Sequence, residues 1–113
     1  MLQWYKIDKT SSYDQNRIYE VEAGSNRICI VHDVSGWKAF SRKCPHAGAS
    51  FVTGWCEGEE LVCSYHRHRF NLNTGKGCTN QGNYIKIYPT RIENNELYVG
   101  IKKTGSFFTQ LFK

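Results

Sequence analysis

Two short runs, Cys44-Pro45-His46 and Cys63-Ser64-Tyr65-His66, constrain this chain more than any other feature. Each offers one thiol and one imidazole, and the residues after each suit a tight turn or a returning strand. A thiolate is a soft, anionic ligand and a neutral imidazole a borderline one, so the set suits an iron–sulfur cluster or zinc. Zinc fingers usually pair cysteine with cysteine in one run and histidine with histidine in the other. Here both runs are mixed, so each loop can give its Cys to one metal and its His to another. A [2Fe–2S] cluster with two Cys on one iron and two His on the other needs that arrangement.

At these residues the chain resembles the Rieske-type ferredoxins, whose pattern is Cys-x-His, a gap of about this length, then Cys-x-x-His. The flanks agree: Ala47-Gly48-Ala49 follows the first run and Arg69-Phe70-Asn71-Leu72-Asn73-Thr74-Gly75 the second. The resemblance extends from the strands before Cys44 to about Ile101. It implies that Cys44, His46, Cys63 and His66 hold a [2Fe–2S] cluster. The cysteines would bind the deeper iron and the histidines the outer one, which makes the histidine edge the electron exit. Gly48 suits a loop that folds tightly over such a cluster.

Several positions depart from the family pattern. High-potential members brace the two loops with a disulfide, and the matching positions here are Ala49 and Tyr65. Those members also carry a serine and a tyrosine that donate to the cluster sulfurs, where this chain has His68 and Phe70. Losing hydroxyl donors lowers the reduction potential, so a low-potential, soluble ferredoxin is expected. Arg42, Lys43, Arg67 and Arg69 act in the opposite sense, weakly if solvent screens them. The glycine usual after the second histidine is Arg67, and the third loop, 78–83, lacks the usual proline.

Alternation of apolar and polar residues predicts strands at Leu2–Ile7, Arg17–Ala23, Arg27–Val34 and Trp37–Arg42. Further strands are expected at Leu61-Val62, Arg69–Leu72, Tyr84–Tyr88, Arg91–Glu93 and Glu96–Ile101, with Gly54–Glu60 a polar bridge. Asn73–Lys76 and Asn94-Asn95 read as turns. Short strands, polar turns and no long helical period make the chain all-β, an antiparallel β-sandwich or small barrel. The resemblance adds a cluster-binding subdomain inserted at about residues 41–73. Residues 104–113 carry Phe107, Phe108, Leu111 and Phe112, an aromatic tail expected to pack on the rest of the domain.

With 113 residues, positions 1–113 form one domain. Of the five cysteines, Cys29, Cys56 and Cys78 are expected to stay free, which fits a reducing, cytoplasmic setting. Neither a signal peptide nor a membrane-length apolar run is evident, so no membrane contact is expected. The net charge of +5 is scattered and interrupted by Glu57, Glu59 and Glu60, which argues for docking an acidic protein and against nucleic acid. The resulting expectation is a soluble one-electron carrier between a reductase and a terminal oxygenase or similar enzyme. It would have no catalytic residue of its own and exist as a monomer or weak dimer. The rivals are a small subunit of a nitrite-reductase-like enzyme and a zinc-binding interaction module.

Overall fold

The strand Asn26–Asp33 alternates two sets of apolar side chains, Ile28 and Ile30 against Cys29 and Val31, and both sets are buried. In the computed structural model, which describes residues 2–8, 12–33, 35–44, 48, 50–64, 67–77 and 85–102, this strand therefore lies between two cores. It is β3 of an antiparallel sheet ordered β2-β3-β4-β8, with β2 at Ile18–Ala23, β4 at Gly36–Ser41 and β8 at Ile87–Tyr88. A second sheet is ordered β1-β10-β9, with β1 at Leu2–Ile7, β9 at Thr90–Glu93 and β10 at Glu96–Lys102. It packs Ile7, Leu97 and Val99 against Val21, Ile28, Ile30 and Ala39. A third sheet, β5-β6-β7 (Trp55–Glu57, Glu60–Val62, Arg69–Asn71), closes over the opposite face. There Leu61 and Phe70 join Ile18, Cys29, Val31 and Phe40 in the other core. All named strand pairs are antiparallel, and the fold is all-β.

The turns follow from local chemistry. Asp33 Oδ1 accepts from the Ser35 amide at 2.8 Å and its hydroxyl at 2.9 Å, an Asx-type turn between β3 and β4. Asn94 and Asn95 both take positive φ, 54° and 65°, which matches the right-handed twist of the β9–β10 hairpin. The expected strands reappear within a residue or two, with two differences. The stretch expected to be a polar bridge contains β5, paired to β6 in register Trp55↔Val62 and exposed at Trp55 and Glu57. The strand expected at Tyr84–Tyr88 is only Ile87–Tyr88, because Ile85 and Lys86 bond different partners. The Ile85 amide donates to Gly75 at 2.7 Å, while the Lys86 carbonyl accepts from Ser41 at 3.0 Å. Tyr84 and the aromatic tail 104–113 lie outside the described residues. No helix among the described residues is long and apolar enough to cross a membrane.

Gly75 ties the turn after β7 to Ile85. Its φ is +81°, and a Cβ there would stand 2.2 Å from the Ile85 carbonyl oxygen. Gly75→Ala therefore combines left-handed strain with a backbone clash and should destabilise the fold by about 2 kcal/mol or more. Thermal unfolding measures this, and an unchanged midpoint would mean that the carbonyl moves aside freely.

Candidate metal centre

β4 delivers the first cysteine. Beyond Ser41 the chain forms a closed loop: Lys43 bridges Ser50, and the Phe51 amide donates to the Arg42 carbonyl at 2.9 Å. Inside it, the Gly48 amide donates to the Cys44 carbonyl at 2.8 Å, with Gly48 at φ +70°. β6 delivers the second cysteine, and there the Cys63 amide donates to the His68 carbonyl at 2.8 Å. Each predicted ligand run thus sits in a loop closed by backbone hydrogen bonds.

The two loops are also fastened to each other. The first leads through Ser50, whose hydroxyl accepts from the Val52 amide, into one 3-10 turn at Phe51–Thr53. Thr53 and Ser64 share a hydroxyl hydrogen bond at 2.8 Å, Ser64 being the residue after Cys63. Gly54 passes so close to β6 that a Cβ there would lie 2.2 Å from the Val62 carbonyl oxygen. Phe51 packs edge-on to Phe40 at 5.9 Å and to Phe70 at 5.7 Å, joining the central sheet to the third. Cys44 and Cys63, 1% and 0% exposed, enter this one aromatic core, and neither is in a disulfide.

That arrangement fits the thiolate half of a [2Fe–2S] site: two unbridged cysteines, converging from closed loops, with an apolar wall behind them. His46, His66, Tyr65, Ala49 and the covering loop 78–83 lie outside the described residues. Among the described residues no group of three or more His, Cys, Asp or Glu side chains is placed to hold a metal ion. The other two described thiols behave differently. Burial first, then the charge of Glu20, pushes Cys29 up to about 12, and burial with Asp33 pushes Cys56 up to about 11. Both stay protonated and poor ligands at neutral pH. Cys78 lies outside the described residues.

Charge near the loops is largely paired. Arg42 lies 3.5 Å from Glu20. Arg69 bonds Glu57 at 2.8 Å and Glu60 at 3.1 Å, and the Trp55 indole donates to Glu57 at 2.8 Å. Hydrogen bonds from Trp55 and Arg69 hold the Glu57 carboxyl below its usual range. Lys43 and Arg67 are exposed. Of the four cations weighed above for their effect on the potential, Arg42 and Arg69 are therefore engaged within the chain. His68 is half-buried, and His32 stacks on Trp37 at 4.5 Å. Sequence reasoning missed Glu20, Ser50 and Thr53. The alternation of β2 places Glu20 on the same face as Ile18, which was the only signal available.

Arg67 has φ +54°, the backbone shape that a glycine takes without strain. A side chain in that region costs roughly 1–2 kcal/mol, partly offset by glycine's greater freedom when unfolded. Arg67→Gly should therefore raise stability by up to about 1 kcal/mol, read from the thermal midpoint. A fall in midpoint would show that the arginine side chain contributes more than its backbone strain.

Comparison with known proteins places the chain. A model of the Rieske [2Fe–2S] domain matches residues 3–89, and the chain belongs to that family, whose cofactor is a [2Fe–2S] cluster. It is 44% identical over 92 residues to the ferredoxin component of the naphthalene 1,2-dioxygenase/salicylate 5-hydroxylase systems of Ralstonia sp., covering 80% of this chain and 88% of that one. It is 42% identical over 67 residues to the ferredoxin component of the 2,4-dinitrotoluene dioxygenase system of Burkholderia sp. (strain RASC). That match spans 58% of this chain and 64% of the relative, just under two thirds of its length. Among solved structures, the carbazole 1,9a-dioxygenase ferredoxin of Nocardioides aromaticivorans IC177 superimposes with a TM-score of 0.78 at 20% identity, covering 88% of this chain and 99% of that one. A Mycobacterium tuberculosis protein assigned as an NADH-dependent nitrite reductase small subunit gives 0.82 at 14% identity, covering 92% and 99%. At such identities the structural likenesses speak for the fold.

Proposed function

We propose that this chain is a soluble, cytoplasmic one-electron carrier that takes electrons from a reductase and passes them to a terminal oxygenase or similar enzyme. The observation that carries the reading is the convergence of Cys44 and Cys63, on two cross-linked loops, in one buried core. Family membership and the dioxygenase ferredoxin relatives support it. Cys44 and Cys63 would hold one iron of the cluster as thiolates, and His46 and His66 would hold the other. When bound, the cluster supplies one-electron exchange and no bond chemistry on a substrate. The chain's own part is to position the ligands and to keep water from the thiolates with Phe40, Phe51 and Phe70. It needs no catalytic residue and works as a monomer or weak dimer. Residues of about 41–73, which include the third sheet, form the cluster-binding subdomain.

Optical and electron paramagnetic resonance spectra of the purified protein test this. A brown protein with a Rieske signal is expected, and a colourless zinc protein would overturn the reading. His46→Ala or His66→Ala should abolish the signal, because an iron that has lost one of its ligands does not retain its cluster. Cys29→Ser, Cys56→Ser and Cys78→Ser should preserve it, and loss in any of these would mean that the thiols are wrongly assigned.

Phe70 sits in the same core as both cysteines and carries no donor. The potential should accordingly lie in the lower part of the Rieske range, roughly −150 to 0 mV. Phe70→Tyr should raise it by adding a hydroxyl that can bond sulfur. Protein-film voltammetry gives both values, and a wild-type potential in the upper half of that range would refute the low-potential assignment.

A further inference from the structure

Glu20 projects from β2 on the side of the core that receives Cys44 and Cys63, and its side chain is 20% exposed. One carboxylate oxygen lies 3.0 Å from Arg27 and 3.5 Å from Arg42. The other accepts from the Ser50 hydroxyl at 3.2 Å. Arg42 and Ser50 stand on the two sides of the Cys44 loop, whose ends are already joined by the Lys43–Ser50 bridge, which includes the Phe51-to-Arg42 hydrogen bond. Ser50 in turn caps the short turn whose Thr53 bonds Ser64, beside Cys63. A single carboxylate on the central sheet therefore stands at the root of a polar chain that reaches both ligand loops.

Its electric field also enters the core. Glu20 adds to the burial that pushes the Cys29 thiol up to about 12. Arg27 has a second carboxylate in Glu22 at 3.6 Å, so removing the Glu20 carboxylate would leave Arg42 as the uncompensated positive charge next to the loop.

We infer that Glu20 is a positioning residue for the cluster: it clamps both ends of the Cys44 loop to the central sheet, and its negative charge lowers the reduction potential. This rests on the cluster reading above. The clamp and the charge are separable, because one needs reach and the other needs only an anion.

Three variants of the loaded protein, Glu20→Gln, Glu20→Asp and Ser50→Ala, separate the two roles by film voltammetry and by the rate of cluster loss to an excess of chelator. Glu20→Gln should raise the reduction equilibrium constant about three- to tenfold, the size expected of a nearby, partly screened charge. It should also lose its cluster several-fold faster. Glu20→Asp keeps the charge but not the reach, so its reduction equilibrium constant should stay within about twofold of wild type while cluster loss accelerates. Ser50→Ala should behave like Glu20→Asp. If Glu20→Gln is too unstable to load, Glu20→Asp and Ser50→Ala still decide the clamp. Unchanged release in both overturns it. Wild-type potential and release in Glu20→Gln, or a lowered unfolding temperature with both unchanged, overturns the inference while leaving the ferredoxin reading intact. A wild-type protein without a Rieske signal would instead remove the reading on which the inference stands.

Discussion

Phe51 is the contact on which the site depends. It follows the Cys44 loop directly and meets Phe40 of the central sheet and Phe70 of the third, both edge-on. Edge-to-face pairs add about 0.5–1.5 kcal/mol each beyond the burial of the rings. Here they do more than stabilise, since the three rings hold together the elements that deliver the two cysteines. Cys44 follows β4 and Cys63 follows β6, strands of different sheets that share no ladder. Side-chain packing across the core, supplemented by the Thr53–Ser64 hydrogen bond, is what brings their ends to one place.

Much of this was legible in sequence, for local reasons. Turn chemistry at Asn94-Asn95, and the alternation in β1 to β4, depend on residues a few positions apart. The motif spacing was likewise readable, and Cys44 and Cys63 do enter one core. What escaped was set by partners far away in sequence. β3 is covered on both faces because a sheet packs on each side of it, which its own alternation does not reveal. β5 read as a bridge, whereas its pairing to β6 defines it. Glu20 lies thirty positions before Ser50, and no local pattern announces that partner.

Electrostatics near the loops illustrates the difference between net charge and a charged surface. The chain carries +5 overall, which sets a long-range attraction for anionic partners. At short range the picture changes, because Arg42 is held by Glu20 and Arg69 by Glu57 and Glu60. Such half-exposed pairs add little stability. They do engage two of the four cations near the cysteine loops with carboxylates, whereas Lys43 and Arg67 are exposed.

The way the loops are braced has its own logic. With Ala49 and Tyr65 in place of a cysteine pair, no disulfide can tie them together. A disulfide typically contributes about 2–4 kcal/mol, and a hydrogen bond only about 0.5–1.5 kcal/mol. Several of the latter act in parallel here: Phe51 to Arg42 closes the first loop, Gly48 to Cys44 lies within it, Cys63 to His68 closes the second, and Thr53 and Ser64 join the two. Their sum can approach that of the covalent link. They differ in one respect that matters for a protein with free thiols: a disulfide is lost when the surroundings are reducing, whereas hydrogen bonds between hydroxyls and backbone are indifferent to redox poise. A brace of this type keeps its strength under the reducing conditions in which Cys29 and Cys56 remain thiols.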